Sequence, residues 1–282
     1  MPLVMGVDSS TQATKLEVRD ADSGALVASG RAPHPVAQPP CSVQEPEAWW
    51  DGLAQAVAAA GAPEVAAISV AGQQHGMVLL DHRGRALRPA KLWNDTESAP
   101  EAARMVAELG AEAWAEVTGS VPVAALTITK LAWMADHEPA VLDEVAKVVL
   151  PHDYLTHRLT DRFVTDRGDA SGTGYFDPVA GGWRTDLLDR FVAPGPWADR
   201  LPEVLGATTA AGEVVEQAAR QLGIPTGVVV GPGTGDNMAA ALGAGLRLGE
   251  VGLSLGTSVT LVAFSVHTRG RKRPVASANP AT

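Results

Sequence analysis

Apolar and polar residues alternate over Leu3–Asp8, Lys15–Asp20 and Ala25–Arg31, with Ala21-Asp22-Ser23-Gly24 between the second and third runs. Period-two alternation broken by turn residues predicts two β-hairpins in series. A proline-rich connection, His34 to Pro46, leads into Glu47–Gly61, where Trp49, Leu53, Val57 and Ala60 recur at helical spacing and acidic residues stand near the start. The apolar run Val65–Ala71 follows as a strand of buried type. A helix joining antiparallel strands to a further apolar strand points to a mixed α/β sheet rather than a sandwich. Gly76–Asp81, with the turn His82-Arg83-Gly84, and Leu92–Asn94 read as further short strands.

From Ser98 to about Arg190 the pattern turns mostly helical. Ala99–Leu109, Glu112–Thr118, Thr127–His137 and Pro139–Ala146 are the predicted helices, interrupted by the apolar run Val148–Leu150. This stretch reads as an insertion elaborating the first domain. Thr209–Leu222 is a further predicted helix, Gly227–Gly231 a strand, Asn237–Gly243 a helix of small residues, and Val251–Leu255 with Thr260–Phe264 a final hairpin. No internal repeat or low-complexity tract is present.

Composition narrows the function classes. In 282 residues, 46% are hydrophobic, enough for a real core. A net charge of −10 argues against a passive electrostatic grip on nucleic acid or an anionic membrane. The one cysteine, Cys41, excludes an intramolecular disulfide and a multi-cysteine zinc site, and is expected to be a small, partly buried residue. No run approaches the ~20 apolar residues of a membrane span, and the first residues lack the basic segment of a signal peptide. A soluble cytoplasmic protein is expected. No acidic residue follows Glu250, while Arg269, Arg271, Lys272 and Arg273 make the tail basic. A solvated end is preferred there to a nucleic-acid arm.

Four constellations can carry chemistry. Asp8-Ser9-Ser10-Thr11-Gln12-Ala13-Thr14-Lys15 places a carboxylate at a strand end before a hydroxyl-rich turn, suited to a phosphate and to Mg²⁺ held through water, although ordinary turns use the same residues. Gln73-Gln74-His75 interrupts two apolar runs between glycines and can present hydrogen-bonding groups to a sugar, or hold a structural histidine. Nine of the 29 glycines fall within residues 227–256, which draws attention to Gly231-Pro-Gly-Thr-Gly235-Asp236-Asn237. Asp236 there is placed either to cap a helix or to take the proton of an attacking hydroxyl. Leu253-Ser-Leu-Gly256-Thr257-Ser258 repeats the hairpin-with-hydroxyls of the amino terminus, so the two bends can clasp a polyphosphate.

At these residues the chain resembles the FGGY carbohydrate kinases and, within them, the xylulokinase branch. The acidic residue, hydroxyl turn and lysine of the family correspond to Asp8, Thr11 and Lys15. Ala71–Gly76, Leu92-Trp93-Asn94-Asp95, Leu150–Leu155 and Asp169-Ala-Ser-Gly-Thr173 are similar to family segments in the expected order. Ser10 and Val259 stand where the family usually has glycine. The resemblance implies a ribonuclease H-like fold of the actin and hexokinase type, with residues 1–246 as the sugar-binding domain and 247–282 as the start of a nucleotide-binding domain that is largely missing. It implies Asp236 as catalytic base, Asp8 as a catalytic carboxylate near Mg²⁺, and Gln74, His75 and Asn237 as sugar ligands. ATP would be held at Thr11, Lys15, Gly256, Thr257 and Ser258. The expected partners are a ketopentose and ATP, with a homodimer allowed for and no nucleic acid or membrane. The expected reaction is phosphorylation of D-xylulose, impaired by the truncation. Another FGGY sugar or polyol kinase, and a non-catalytic sugar-binding or vestigial fragment, are the alternatives.

Overall fold

The computed structural model describes residues 2–255 and 259–263. The predicted opening hairpins form as β1 (Leu3–Ser9), β2 (Ala13–Asp20) and β3 (Leu26–Pro33), each antiparallel to the one before. Short strand β4 (Val43–Gln44) precedes helix α1 (Pro46–Ala59), whose first residue is a proline that needs no backbone N–H there. Strand β5 (Ala67–Gly72) then returns parallel to β1. Strand β6 (Val78–Leu80) and β7 (Ala90–Lys91) follow.

The helical insertion comprises α2 (Ala99–Leu109), α3 (Ala111–Thr118), α4 (Thr127–His137) and α5 (Pro139–Asp143), then β8 (Lys147–Val149), which pairs with β6. Helix α6 (Pro151–Thr160), β9 (Val164–Asp166) and α7 (Arg167–Ala170) lead back toward the sheet. The hairpin β10 (Phe176–Asp177) with β11 (Gly182–Trp183), then α8 (Thr185–Phe191), α9 (Trp197–Arg200) and β12 (Glu203–Leu205), complete this region. The chain ends its described course through β13 (Gly212–Glu213), α10 (Glu216–Leu222), β14 (Val229–Val230), β15 (Thr234–Gly235), α11 (Asp236–Gly243) and the hairpin β16 (Val251–Leu255) with β17 (Val259–Ala263).

The main sheet runs β13-β14-β5-β1-β2-β3, with β15 also paired to β5. One face buries Met5, Val7, Leu16, Val18, Ile68 and Val70 against Trp49, Leu53 and Val57 of α1 and Leu155 and Leu159 of α6. Burial of each such large side chain contributes roughly 1.5–3 kcal/mol. The opposite face is more open, as the exposed Lys15, Glu17 and Arg19 of β2 show. A second core, with Met105, Trp114, Leu131 and Phe191 among its members, holds the helical insertion together.

Four sequence expectations need correction. Thr209–Leu222 is not one helix: Ala211 and Val214 donate their N–H groups to Val230 and Val228, so the sheet edge captures the first half and only Glu216–Leu222 coils. The helix from Pro139 stops at Asp143, because Ala146 N–H donates to Leu80 O as the chain enters β8. The strand expected at Leu92–Asn94 lies instead at Ala90–Lys91, and Asp95 N–H turns back to Leu92 O. Cys41 is exposed, on the loop before β4, not partly buried.

Candidate functional site

Three parallel strands end in one row. In register, Asp8 lies beside Ala71 and Ser9 beside Gly72, while Thr234 and Gly235 flank Ala71 and Gly72 from the other side. The segments beyond these ends therefore meet: the Ser9–Thr14 turn, Gln73-Gln74-His75, and Asp236-Asn237 opening α11. Ligands of open α/β sheets gather at the carboxyl ends of parallel strands where neighbouring connections diverge. Three of the four sequence constellations converge here. The fourth, Gly256-Thr257-Ser258, lies outside the described residues.

Asp236 is the first residue of α11, following Gly235, and its Oδ1 accepts the N–H of Asn237 at 2.8 Å. Burial pushes its carboxyl up to about 6, with Asp169 and Asp8 adding repulsion, against the pull of backbone N–H groups. Such a carboxyl is a stronger base than an ordinary aspartate and still ionised near neutrality. Asp8 pairs with Lys15 at 3.3 Å, and its Oδ1 is buried without a hydrogen-bond partner among the described residues. An unpartnered carboxylate oxygen and a second carboxylate close enough to repel it fit a divalent cation held directly or through water.

The two glutamines divide their work. Gln73 is tied into the protein: its Nε2 donates to Gln44 Oε1 at 3.3 Å, and its Oε1 accepts from Thr11 Oγ1 at 3.2 Å. Gln44 Oε1 also accepts from Trp49 Nε1, and its Nε2 donates to Thr11 O and Pro35 O. Trp93 Nε1 donates to Thr11 Oγ1 at 2.9 Å. The Thr11 hydroxyl proton is thus spent on Gln73, which leaves it no proton for a phosphate. His34, bonded to Ser10 O at 2.9 Å and Thr14 Oγ1 at 2.8 Å, braces the same turn from below.

Gln74 points into the other half of the site. Asn237 Nδ2 donates to Gln74 Oε1 at 2.8 Å, and Gln74 Nε2 donates to Asp169 Oδ1 at 3.4 Å. Asp169 in turn meets His152 Nδ1 at 3.0 Å. His152 is fully buried; burial works against its charge, but the carboxylates of Asp153, Asp169 and Asp166 outweigh it and carry the imidazole up to about 9. Asp166 caps α7 by accepting from Gly168 and Asp169 N–H and also accepts from Thr234 Oγ1 at 3.0 Å.

The glycine-rich bend has a packing cause. A Cβ on Gly235 would stand 2.5 Å from Gln74 Nε2, and one on Gly233 would stand 2.6 Å from His152 Cδ2 and 2.7 Å from Val70 O. Gly233 also has φ +74°, in the left-handed region. These glycines let the His152 and Gln74 side chains reach the site.

His75 occupies φ +62°, rare for a residue with a side chain. Its carbonyl accepts from Thr127 Oγ1 and Lys130 Nζ, both at 3.2 Å, and Lys130 also donates to Ala125 O. Burial pulls the Lys130 ammonium down to about 7 and holds His75 below the usual imidazole value. His75 Nδ1 is buried with no hydrogen-bond partner among the described residues. On the far side of Trp93, Cys41, Asp95 and Glu97 bring ligand-type atoms within 4.8 Å of one another. The buried Lys91 ammonium lies 2.5 Å from Glu97 and 3.3 Å from Asp95, so that cluster already has its cation.

Sequence reasoning gave no role to Gln44, His152, Asp169 or Lys130. His152 and Asp169 stood in segments with a family resemblance, which was the available signal. Lys130 sits in an apolar helix and offered none.

The model of the FGGY family of carbohydrate kinases, N-terminal domain, matches residues 3–243. A xylulose kinase of Streptomyces coelicolor is 50% identical over 269 residues, 94% of this chain and 54% of that protein. One from Haemophilus influenzae is 37% identical over 278 residues, covering 93% and 56%. Among solved structures, the xylulose kinase from Bifidobacterium adolescentis superposes with a TM-score of 0.85 at 38% identity, over 93% of this chain and 59% of that one. Plasmodium falciparum glycerol kinase with ADP gives 0.82 at 21% identity, covering 93% and 54%, a likeness of fold. The chain spans about half the length of the curated relatives it matches.

Proposed function

This chain belongs to the FGGY family of carbohydrate kinases, and we propose that it forms the sugar-binding part of an ATP-dependent D-xylulose kinase. The observation that carries the reading is the meeting of Asp236, Asn237 and Gln74 at the ends of parallel strands, with His75 next along the chain from Gln74, Asp236 desolvated and Asp8 in the neighbouring turn. Residues 1–246 are the sugar-binding domain, and 247–282 open the nucleotide-binding one. The preference for xylulose over other acceptors draws on relatives named xylulose kinase at up to 50% identity.

In this proposal Asn237, Gln74 and His75 orient the ketopentose, and Asp236 takes the proton of the attacking hydroxyl. Geometry and charge stabilisation supply most of the rate in phosphoryl transfer, so the rigid braces behind these residues matter as much as the base itself. His75, its Nδ1 unpartnered among the described residues and its carbonyl clamped by Thr127 and Lys130, is a neutral hydrogen-bonding group fixed in place. Bound Mg²⁺, near Asp8, would offset charge on the transferring phosphoryl group. Lys15 and the Ser9–Thr14 turn face the nucleotide side, Thr11 through its backbone, since its hydroxyl proton is engaged. Gly256, Thr257 and Ser258 are the second phosphate loop of the proposal.

The test is a coupled assay of the purified protein with ATP·Mg²⁺ across ketoses and polyols, alongside calorimetric binding of each. D-Xylulose should give the highest kcat/KM and the tightest binding. A clear preference for glycerol, gluconate or ribulose would overturn the substrate assignment, and binding of no sugar would overturn the site.

A further inference from the structure

The chain of side chains from His152 to Asn237 has one consistent direction. An ionised carboxylate only accepts hydrogen bonds, and an amide has a donor end and an acceptor end. His152, buried among three carboxylates, bonds Asp169 Oδ2 through its Nδ1 at 3.0 Å. Asp169 Oδ1 can then face only the NH₂ end of Gln74, as it does at 3.4 Å. That turns Gln74 Oε1 toward Asn237, whose own NH₂ end must answer it at 2.8 Å. Asn237 Oδ1 is left on the opposite side, and it accepts no hydrogen bond among the described residues. Asp169 and His152 are both fully buried. Gly235 and Gly233 provide the close approach that Gln74 and His152 require.

We propose that Asp169, held by His152, is a positioning residue that sets the polarity of the Gln74 and Asn237 amides, so that Asn237 Oδ1 accepts a hydroxyl proton of the sugar. The pocket role rests on the sugar-binding reading above; the polarity of the relay does not. A site whose acceptor is fixed rejects an analogue lacking that hydroxyl, because the acceptor is then left without a partner.

Two arms separate these claims. The first is a cycle on the ligand-free chain, read as melting temperature. Asn237→Asp sets a carboxylate against Gln74 Oε1, and Gln74 cannot turn over without setting that oxygen against Asp169. Adding Asp169→Asn lets the whole relay reverse. The double variant should therefore melt well above the value obtained by adding the two single losses, with the mutual effect of Asp236 common to both backgrounds. Strictly additive losses would overturn the relay. Should Asn237→Asp and the double variant both fail to fold, NMR of the unaltered chain decides it: the Asn237 NH₂ protons must lie near Gln74, and the Gln74 NH₂ protons near Asp169, and the reverse order sinks the proposal.

The second arm is calorimetry with D-xylulose and singly deoxygenated ketopentoses. The unaltered chain should bind one deoxy analogue about ten-fold more weakly than xylulose. In Asp169→Asn that ratio should fall toward one, whereas a purely structural loss would weaken every ligand alike. An unchanged ratio overturns the selectivity claim. Failure of the unaltered chain to bind xylulose overturns the sugar-binding reading, and with it the pocket role of Asn237, while the first arm still decides the relay.

Discussion

Asp236, the base of the proposed reaction, carries a charge that its burial disfavours. Its carboxyl titrates at about 6 in the folded chain against an ordinary value of 3.8, because burial disfavours the charge. With the folded value raised, the protonated group's contribution to stability is intact below pH 3.8 and is lost as pH rises through about 6. Asp236→Asn removes that penalty and keeps the neutral shape. At pH 7 it should melt at or above the unaltered chain, by on the order of 1–3 kcal/mol of stability, and show no gain at pH 3.5. In the kinase reaction the same change should lower kcat by ~10²–10⁴ and erase the rise of activity with pH near 6, with xylulose affinity little changed. Thermal melts at the two pH values and a pH–rate profile check both halves; lower stability at pH 7 with ordinary turnover would contradict them. The segments that bring Gln74, Asp236 and Asn237 together were legible in the sequence, where polar groups stand between apolar runs and glycines. The division between Gln73 and Gln74 was not, since adjacent identical residues differ only in which neighbours the fold brings to them.

At the scale of elements, the bend from β14 to α11 works as an aperture for side chains arriving from α6 and β5. The glycine spacing was visible in the sequence, but what it makes room for was not; the structure fills that room with His152 and Gln74. Gly233→Ala would force Cβ against His152 and Val70 O in a left-handed backbone, at a cost of about 1–3 kcal/mol. A melting series that includes Gly243→Ala, whose Cβ meets nothing within 4 Å, provides the control. Equal effects at 233 and 243 would refute the packing account. Elements with strong periodicity, such as Ala99–Leu109 and Thr127–His137, were read to the residue. Thr209–Leu222 was misread because its helical spacing continues through Ala211 and Val214, and only the distant β14 strand draws that stretch into the sheet.

Across the molecule, two hydrophobic cores form among the described residues: one under the parallel strands, the other inside the helical insertion. Lys130 and Thr127 of the insertion hold the carbonyl of His75, and Asp169, next to α6 and β9, holds Gln74. The insertion thus reaches the site through backbone and amide contacts rather than by offering a separate surface. The chain matches relatives over about half their length, and the residues assigned to the sugar all lie within the matched family domain. No described helix is long and apolar enough to cross a membrane. In the proposal Asp236, Asn237, Gln74 and His75 form a ketopentose site within this chain. Calorimetric titration with D-xylulose, of the unaltered chain and of Asn237→Ala, tests it most directly. Expected is saturable one-site binding that weakens by about five-fold or more in the variant, the loss of roughly one hydrogen bond, when titrated well below the variant's melting temperature. No measurable heat with the unaltered chain, or equal affinity in both, would contradict it.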